Sequence, residues 1–180
     1  MSNAPPLLVT SRQTIELRLP PNAGWVDAVE FDALWDACTA HGHTTLVRCP
    51  TCIQRLNQAV ALYRGDFLAD VILADSPGFD EWRRLQQEHY HKKTTAALTW
   101  MTDHHLTLGN YDQAQDYARR QLELEPWREE AHRQLMQALA ASGQRSAALA
   151  QYEVSRRTLE NELQAAPTAE TSALHEQIRS

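Results

Sequence analysis

The residues best equipped for chemistry lie in one stretch, 38–52, which reads CTAHGHTTLVRCPTC. It holds all three cysteines of the chain, Cys38, Cys49 and Cys52, together with His41 and His43. Thiolate and imidazole are the donors zinc prefers, and Cys49-Pro50-Thr51-Cys52 has the spacing that lets two sulfurs reach one ion at ~2.3 Å. Cys38 and one histidine complete a Cys3His set. Such a closed tetrahedral site stabilises a fold and leaves no open position for catalysis. It would pin the loop 39–49 and join the ends of the two flanking helices. His43 is the favoured nitrogen ligand, because Gly42 frees the chain to fold back over the ion, and His41 is the alternate. Two other readings stand beside zinc. Cys-x-x-Cys is also the spacing of a thiol–disulfide pair, which would make Cys49 and Cys52 a redox sensor. The third reading is three core thiols at helix ends. Zinc deaminases pair Pro-Cys-x-x-Cys with His-x-Glu, whereas His41-Gly42-His43 carries no Glu.

No second constellation of this kind emerges. There is no Gly-rich phosphate loop and no nucleophile beside a base in a supporting context, so the chain is not expected to be an enzyme. His89 and His91 alternate along a helix and read as surface groups. His104 and His105 fall in a last helical turn, where partial positive charge suits the helix dipole. The five tryptophans read as packing residues, with Trp127 either stapling two repeats or marking a contact point. The formal net charge is −6, and short basic pairs such as Arg83-Arg84 and Arg119-Arg120 are interleaved with acids and glutamines. Direct binding to duplex DNA needs a basic surface, so it is not expected of these residues. No apolar run approaches the ~20 residues of a membrane span. The N-terminus lacks the basic and apolar regions of a secretory signal, which makes the cytoplasm the expected compartment.

The elements that must position the cluster are mostly helical. The chain has 180 residues, enough for one domain with a real core. Residues 7–19, LLVTSRQTIELRL, alternate like a short hairpin before Pro20 and Pro21 break the chain. Asp27 and Glu30 have capping-box spacing, opening a helix with Phe31, Leu34, Trp35 and Cys38 on one face and Gly42 at its end. A second helix starts near Pro50 and turns Ile53, Leu56, Val60 and Tyr63 inward. After an irregular segment, 65–76, Ser76 and Pro77 open a long helix, or two with a break, reaching about residue 107. Its apolar positions include Phe79, Trp82, Leu85, Tyr90, Leu98 and Met101.

The second half repeats itself. Gly109 and Gly143 are 34 positions apart (143 − 109), and so are Ala114 and Ala148, and Met101 and Leu135. That period belongs to tetratricopeptide-type helix pairs, with Gly in the tight turn and a small Ala at the close approach. Pro126 falls where the first pair ends. The last long helix spans about 145–164, and a short one follows from Thr168 to about 178. Two such pairs bury too little surface alone, so the first half must pack on them. The expected fold is therefore all-α, of tetratricopeptide-like stacked helix pairs, with a short N-terminal β-hairpin or strand remnant over 1–24 and the helical domain over 25–180.

The stretches AVALYRGDFL (59–68), RRQLELEPWREEAHRQLMQALAASGQRSAALAQYE (119–153) and LQAAPTAETSALHEQIR (163–179) resemble the bacterial transcriptional activator domain of SARP/AfsR-type regulators. The resemblance runs from about Trp25 to Arg179. It implies a tetratricopeptide-like regulatory domain that follows a winged-helix DNA-binding domain, of which residues 7–19 would be the last hairpin. DNA would then be reached through a domain outside this chain. The implied role is protein–protein interaction, with RNA polymerase, another protomer in a homodimer, or a regulatory domain as partner. If the 34-residue register holds, Ala96, Thr99 and Asp103 on one helix and Glu130, Arg133 and Gln137 on its counterpart face the partner groove. A general tetratricopeptide scaffold unconnected with transcription is the alternative.

Overall fold

The computed structural model describes residues 8–10, 15–17, 26–42 and 45–180. Strand β1, Leu8–Thr10, pairs antiparallel with β2, Ile15–Leu17, setting Leu8 opposite Leu17 and Thr10 opposite Ile15. The remaining residues of the 1–24 segment lie outside the described residues. Everything after is helical: α1 (Asp27–Thr39), α2 (Pro50–Leu62), α3 (Pro77–Leu108), α4 (Tyr111–Leu124), α5 (Glu129–Ala141), α6 (Arg145–Leu163) and α7 (Ala169–Arg179). A 3-10 turn, Leu46–Arg48, precedes α2.

The start of α1 differs from the predicted capping box. Val26 is the N-cap and Asp27 is already helical. The Asp27 carboxylate accepts from the Ala28 N–H at 2.9 Å and pairs with Arg64 at 3.2 Å instead. Its charge still suits the positive end of the helix dipole. The helix stops at Thr39, before Gly42. Pro50 opens α2, where its fixed φ is pre-set for a helix and its missing N–H costs no bond. Ile53, Leu56, Val60 and Tyr63 are all buried, as their spacing requires.

Helix α3 is unbroken for 32 residues, which is ~48 Å at 1.5 Å per residue. Its buried positions fall between Tyr90 and Thr102: Leu98 is 0% exposed and Met101 1%. Its first turns are not buried, and here the expectation fails. Trp82 is 45% exposed and Leu85 52%. The irregular segment before α3 meets these turns: Phe67 touches Trp82 edge-on at 5.6 Å, and its carbonyl accepts from Gln87 at 2.9 Å. One loop covers less of a helix than a second helix does. Trp35 stacks on Trp100 at 5.4 Å and ties α1 to α3, whereas Trp127 is 43% exposed.

From α3 onward each helix packs on its neighbour in sequence, and α7 returns to contact both α5 and α6. The turns that permit this are tight. Gly109 caps α3 with φ +74°, and Gly143 follows α5 with φ +82°, both in the left-handed region that costs an L side chain ~1–2 kcal/mol. Ala114 and Ala148 are each 0% exposed, and Ala148 packs in one cluster with Leu135 and Leu139 of the preceding helix. Two apolar clusters join α1–α2 to α3, one around Leu56, Leu98 and Met101 and one around Phe31, Tyr63 and Tyr90. A third, of Ala118, Leu135, Leu139 and Ala148, holds α4, α5 and α6 together.

Candidate functional site

The end of α1, the loop after it and the start of α2 bring the cysteines together. Cys38 lies in the last turn of α1, Cys49 is the N-cap of α2, and Cys52 is in the first turn of that helix. The loop carries His41 to the two cysteines of α2. Its Nδ1 is 3.1 Å from Cys52 Sγ and 3.5 Å from Cys49 Sγ. The three donor atoms all lie within 4.8 Å of one another. Cys38 stands just outside that trio and donates its thiol hydrogen to the Cys52 carbonyl at 3.5 Å. All three cysteines are free thiols. His43, the favoured nitrogen ligand, lies outside the described residues, so among those described the histidine at the cluster is the alternate, His41.

Burial divides the thiols. Cys38 and Cys52 are 0% exposed, Cys49 is half-buried and His41 is exposed. Burial pushes the Cys52 thiol up to about 12, and the neighbouring Cys49 adds to it. Burial also raises Cys38. Cys49 moves the other way, because the backbone N–H of Cys52, with that of Thr51, points at its sulfur from the helix N-terminus. Of the two helix cysteines, Cys49 is therefore the one that ionises more easily. Soft donors in this number suit zinc over calcium or magnesium.

Beside the cluster, the 3-10 turn, α2, α3 and α4 line an open cavity of about 730 Å³ with Val47, Ile53, Met101, His104, His105 and Tyr117 on its walls. His104 Nδ1 meets the Val47 carbonyl at 2.6 Å, which holds the turn onto α3. The His105 ring stacks on Tyr117 at 5.4 Å, and burial lowers its pKa.

The six expected groove residues are distributed unevenly. Thr99 is only 7% exposed and does not face an open surface. Its hydroxyl donates to the Gln121 side chain at 2.8 Å. Gln121, 0% exposed, donates in turn to Thr102 and to Gln134 Oε1, each at 2.9 Å. Gln134 donates to Asp103 at 2.6 Å, and burial raises the Asp103 carboxyl. Thr99 and Asp103 thus belong to a polar seam running through α3, α4 and α5. Arg133 is engaged by α7, donating to Thr171 at 3.2 Å and pairing with Glu170 at 3.4 Å. Glu130 is exposed but bound to Arg128 at 2.8 Å. Gln137 is exposed and Ala96 half-buried. Gln121 and Gln134 were missed from sequence. The signal was the run of threonines at helical spacing in α3, Thr95, Thr99 and Thr102, which needs polar partners on whatever packs against it.

Comparison with known proteins sets these features in a family. The profile of the bacterial transcriptional activator domain matches residues 26–179. No curated protein sequence matches the chain. Among solved structures, Mycobacterium tuberculosis EmbR, in complex with a low affinity phosphopeptide, superposes with a TM-score of 0.62 at 23% identity. The match covers 96% of this chain and 43% of the EmbR chain, so this chain spans less than half the length of that relative. At that identity the likeness establishes a shared fold.

Proposed function

The chain belongs to the bacterial transcriptional activator domain family, and from that premise we propose that it is the protein-binding regulatory module of a SARP/AfsR-type transcriptional regulator. The observation that carries this reading is the family match, which spans α1 to α7 almost without remainder. We read α3–α4 and α5–α6 as two tetratricopeptide-type pairs. The recurrence of left-handed Gly109 and Gly143, and of fully buried Ala114 and Ala148, supports that reading. Helix α7 closes the stack on the α5–α6 side, where its contacts to Arg133 cover part of the expected groove. The surface left for a partner centres on Glu130 and Gln137, with Ala96 at its edge.

RNA polymerase is the partner this reading assigns. Another protomer or a regulatory domain would use the same surface. The net charge of −6 argues that DNA is reached through a winged-helix domain outside these residues, with the β1–β2 hairpin as its edge. The role involves no chemical step and places the chain in the cytoplasm. Among the described residues no helix is long and apolar enough to cross a membrane. The test fuses the full chain to an unrelated DNA-binding domain and measures a reporter downstream of that domain's site. Increased transcription, reduced by Glu130→Lys with Gln137→Lys, supports the reading. A folded fusion that occupies its site and leaves the reporter at background would overturn it, in favour of a general helical scaffold.

A further inference from the structure

The regulatory reading makes no use of the cysteine–histidine cluster between α1 and α2. We propose that His41 Nδ1 and the sulfurs of Cys49, Cys52 and Cys38 bind one structural zinc ion. The geometry of the trio carries the argument. A tetrahedral zinc with Zn–S of ~2.3 Å and Zn–N of ~2.0 Å has N···S edges of ~3.5 Å and S···S edges of ~3.8 Å. The observed Nδ1···Sγ separations are 3.1 and 3.5 Å, and every donor pair is within 4.8 Å. The two nitrogen–sulfur separations are thus already close to the edges of such a tetrahedron. Two sulfurs come from one helix start and the nitrogen from a loop eight or more residues upstream (49 − 41), so helix geometry alone does not account for the convergence.

Cys38 is the fourth soft donor. Its thiol reaches the Cys52 backbone carbonyl at 3.5 Å and is fully buried, and its sulfur, outside the trio, must turn in to meet the ion. On binding, three S–H bonds break, three Zn–S bonds form, and three protons leave to solvent. The imidazole stays neutral, giving its Nδ1 lone pair to the metal and keeping its proton on Nε2. Zinc changes no oxidation state, and no coordination position is left for a substrate. The ion would lock the loop after α1 to the start of α2. That loop leads into the 3-10 turn that supplies Val47 to the 730 Å³ cavity, so the metal would fix one wall of it.

The test is metal analysis of the full chain, purified under reducing conditions without chelator, followed by cobalt titration of the metal-free protein. Close to one zinc per chain is expected, with the d–d and thiolate charge-transfer bands of tetrahedral cobalt. His41→Ala and Cys49→Ser alter groups that are not fully buried, so both variants should fold. Each should weaken cobalt binding by at least about tenfold, since loss of an outer hydrogen-bond partner alone costs a metal site that much. Cys38→Ser should weaken binding and alter the d–d bands. Substoichiometric zinc with a featureless cobalt titration would overturn the proposal. A reversible Cys49–Cys52 disulfide in place of metal would do the same. Cobalt spectra unchanged in Cys38→Ser would overturn the four-ligand site.

Discussion

Replacing Gln121 with alanine tests whether the polar seam between α3, α4 and α5 holds the stack together. Gln121 is 0% exposed and makes three side-chain hydrogen bonds, to Thr99, Thr102 and Gln134, between 2.8 and 2.9 Å. The two threonine hydroxyls keep backbone acceptors on their own helix, Thr95 O and Leu98 O, so each loses about 1 kcal/mol at most. Gln134 Oε1 loses its donor inside the protein, which costs about 1–3 kcal/mol. The sum is about 1–5 kcal/mol, before any cavity left by the missing amide. For a chain of this size that lowers Tm by roughly 2–20 °C. Urea and thermal unfolding, followed by circular dichroism, measure it directly. A leucine at 121 restores volume but not the donor and should recover only part of the loss. Combining Gln121→Ala with Gln134→Ala should cost at least about 1 kcal/mol less than the sum of the single changes, because both remove the same bond. A loss below about 1 kcal/mol for Gln121→Ala, or strict additivity in the double variant, would refute the seam as a structural unit.

Further expectations come from the core, the turns and one buried histidine. Leu56→Ala, at a position 0% exposed where α2 meets α3, should cost about 2–5 kcal/mol in urea unfolding. Gly109→Ala should cost about 1–2 kcal/mol and no more. The left-handed backbone is strained by a side chain, yet the nearest atom to the added carbon is Tyr111 Oη at 3.9 Å, so no clash is added. His132 is 2% exposed, and its two ring nitrogens meet the Pro126 carbonyl at 2.9 Å and Gln151 at 2.6 Å. That arrangement suits a neutral ring, and burial holds its pKa below the ordinary 6.5. The unfolded chain therefore takes up a proton more readily than the folded one. The stability His132 contributes should be complete above about pH 6.5 and lost as pH falls toward the folded value. His132→Gln should flatten that part of the stability–pH curve.

How much of this was legible in the sequence depends on whether local chemistry or tertiary packing decided the matter. Pro50, Pro77 and Gly109 mark their helix ends wherever they are placed, because φ restriction and φ freedom belong to the residue. The inward face of α2 follows from period 3.6 alone. Trp82 and Leu85 have the same periodicity, yet they stay half-exposed, since periodicity does not say what a helix will find to pack against. The same limit applies to the groove. Register placed Thr99 and Arg133 on one face, but the seam through Gln121 and the return of α7 onto α5 are long-range events that no spacing announces. Convergence of His41 with Cys49 and Cys52 was readable as a set of donors. Spacing alone left His41 and His43 open as the nitrogen donor, and of the two only His41 is among the described residues.

The most direct measurement of the central claim is binding of the purified full chain to purified bacterial RNA polymerase, by pull-down and by a concentration series in solution. Saturable binding at physiological salt, weakened by Glu130→Lys with Gln137→Lys and unaffected by changes on the opposite face of α6, is the result expected of a regulatory module. Absence of binding to polymerase, by a chain shown by circular dichroism to be folded, would contradict it.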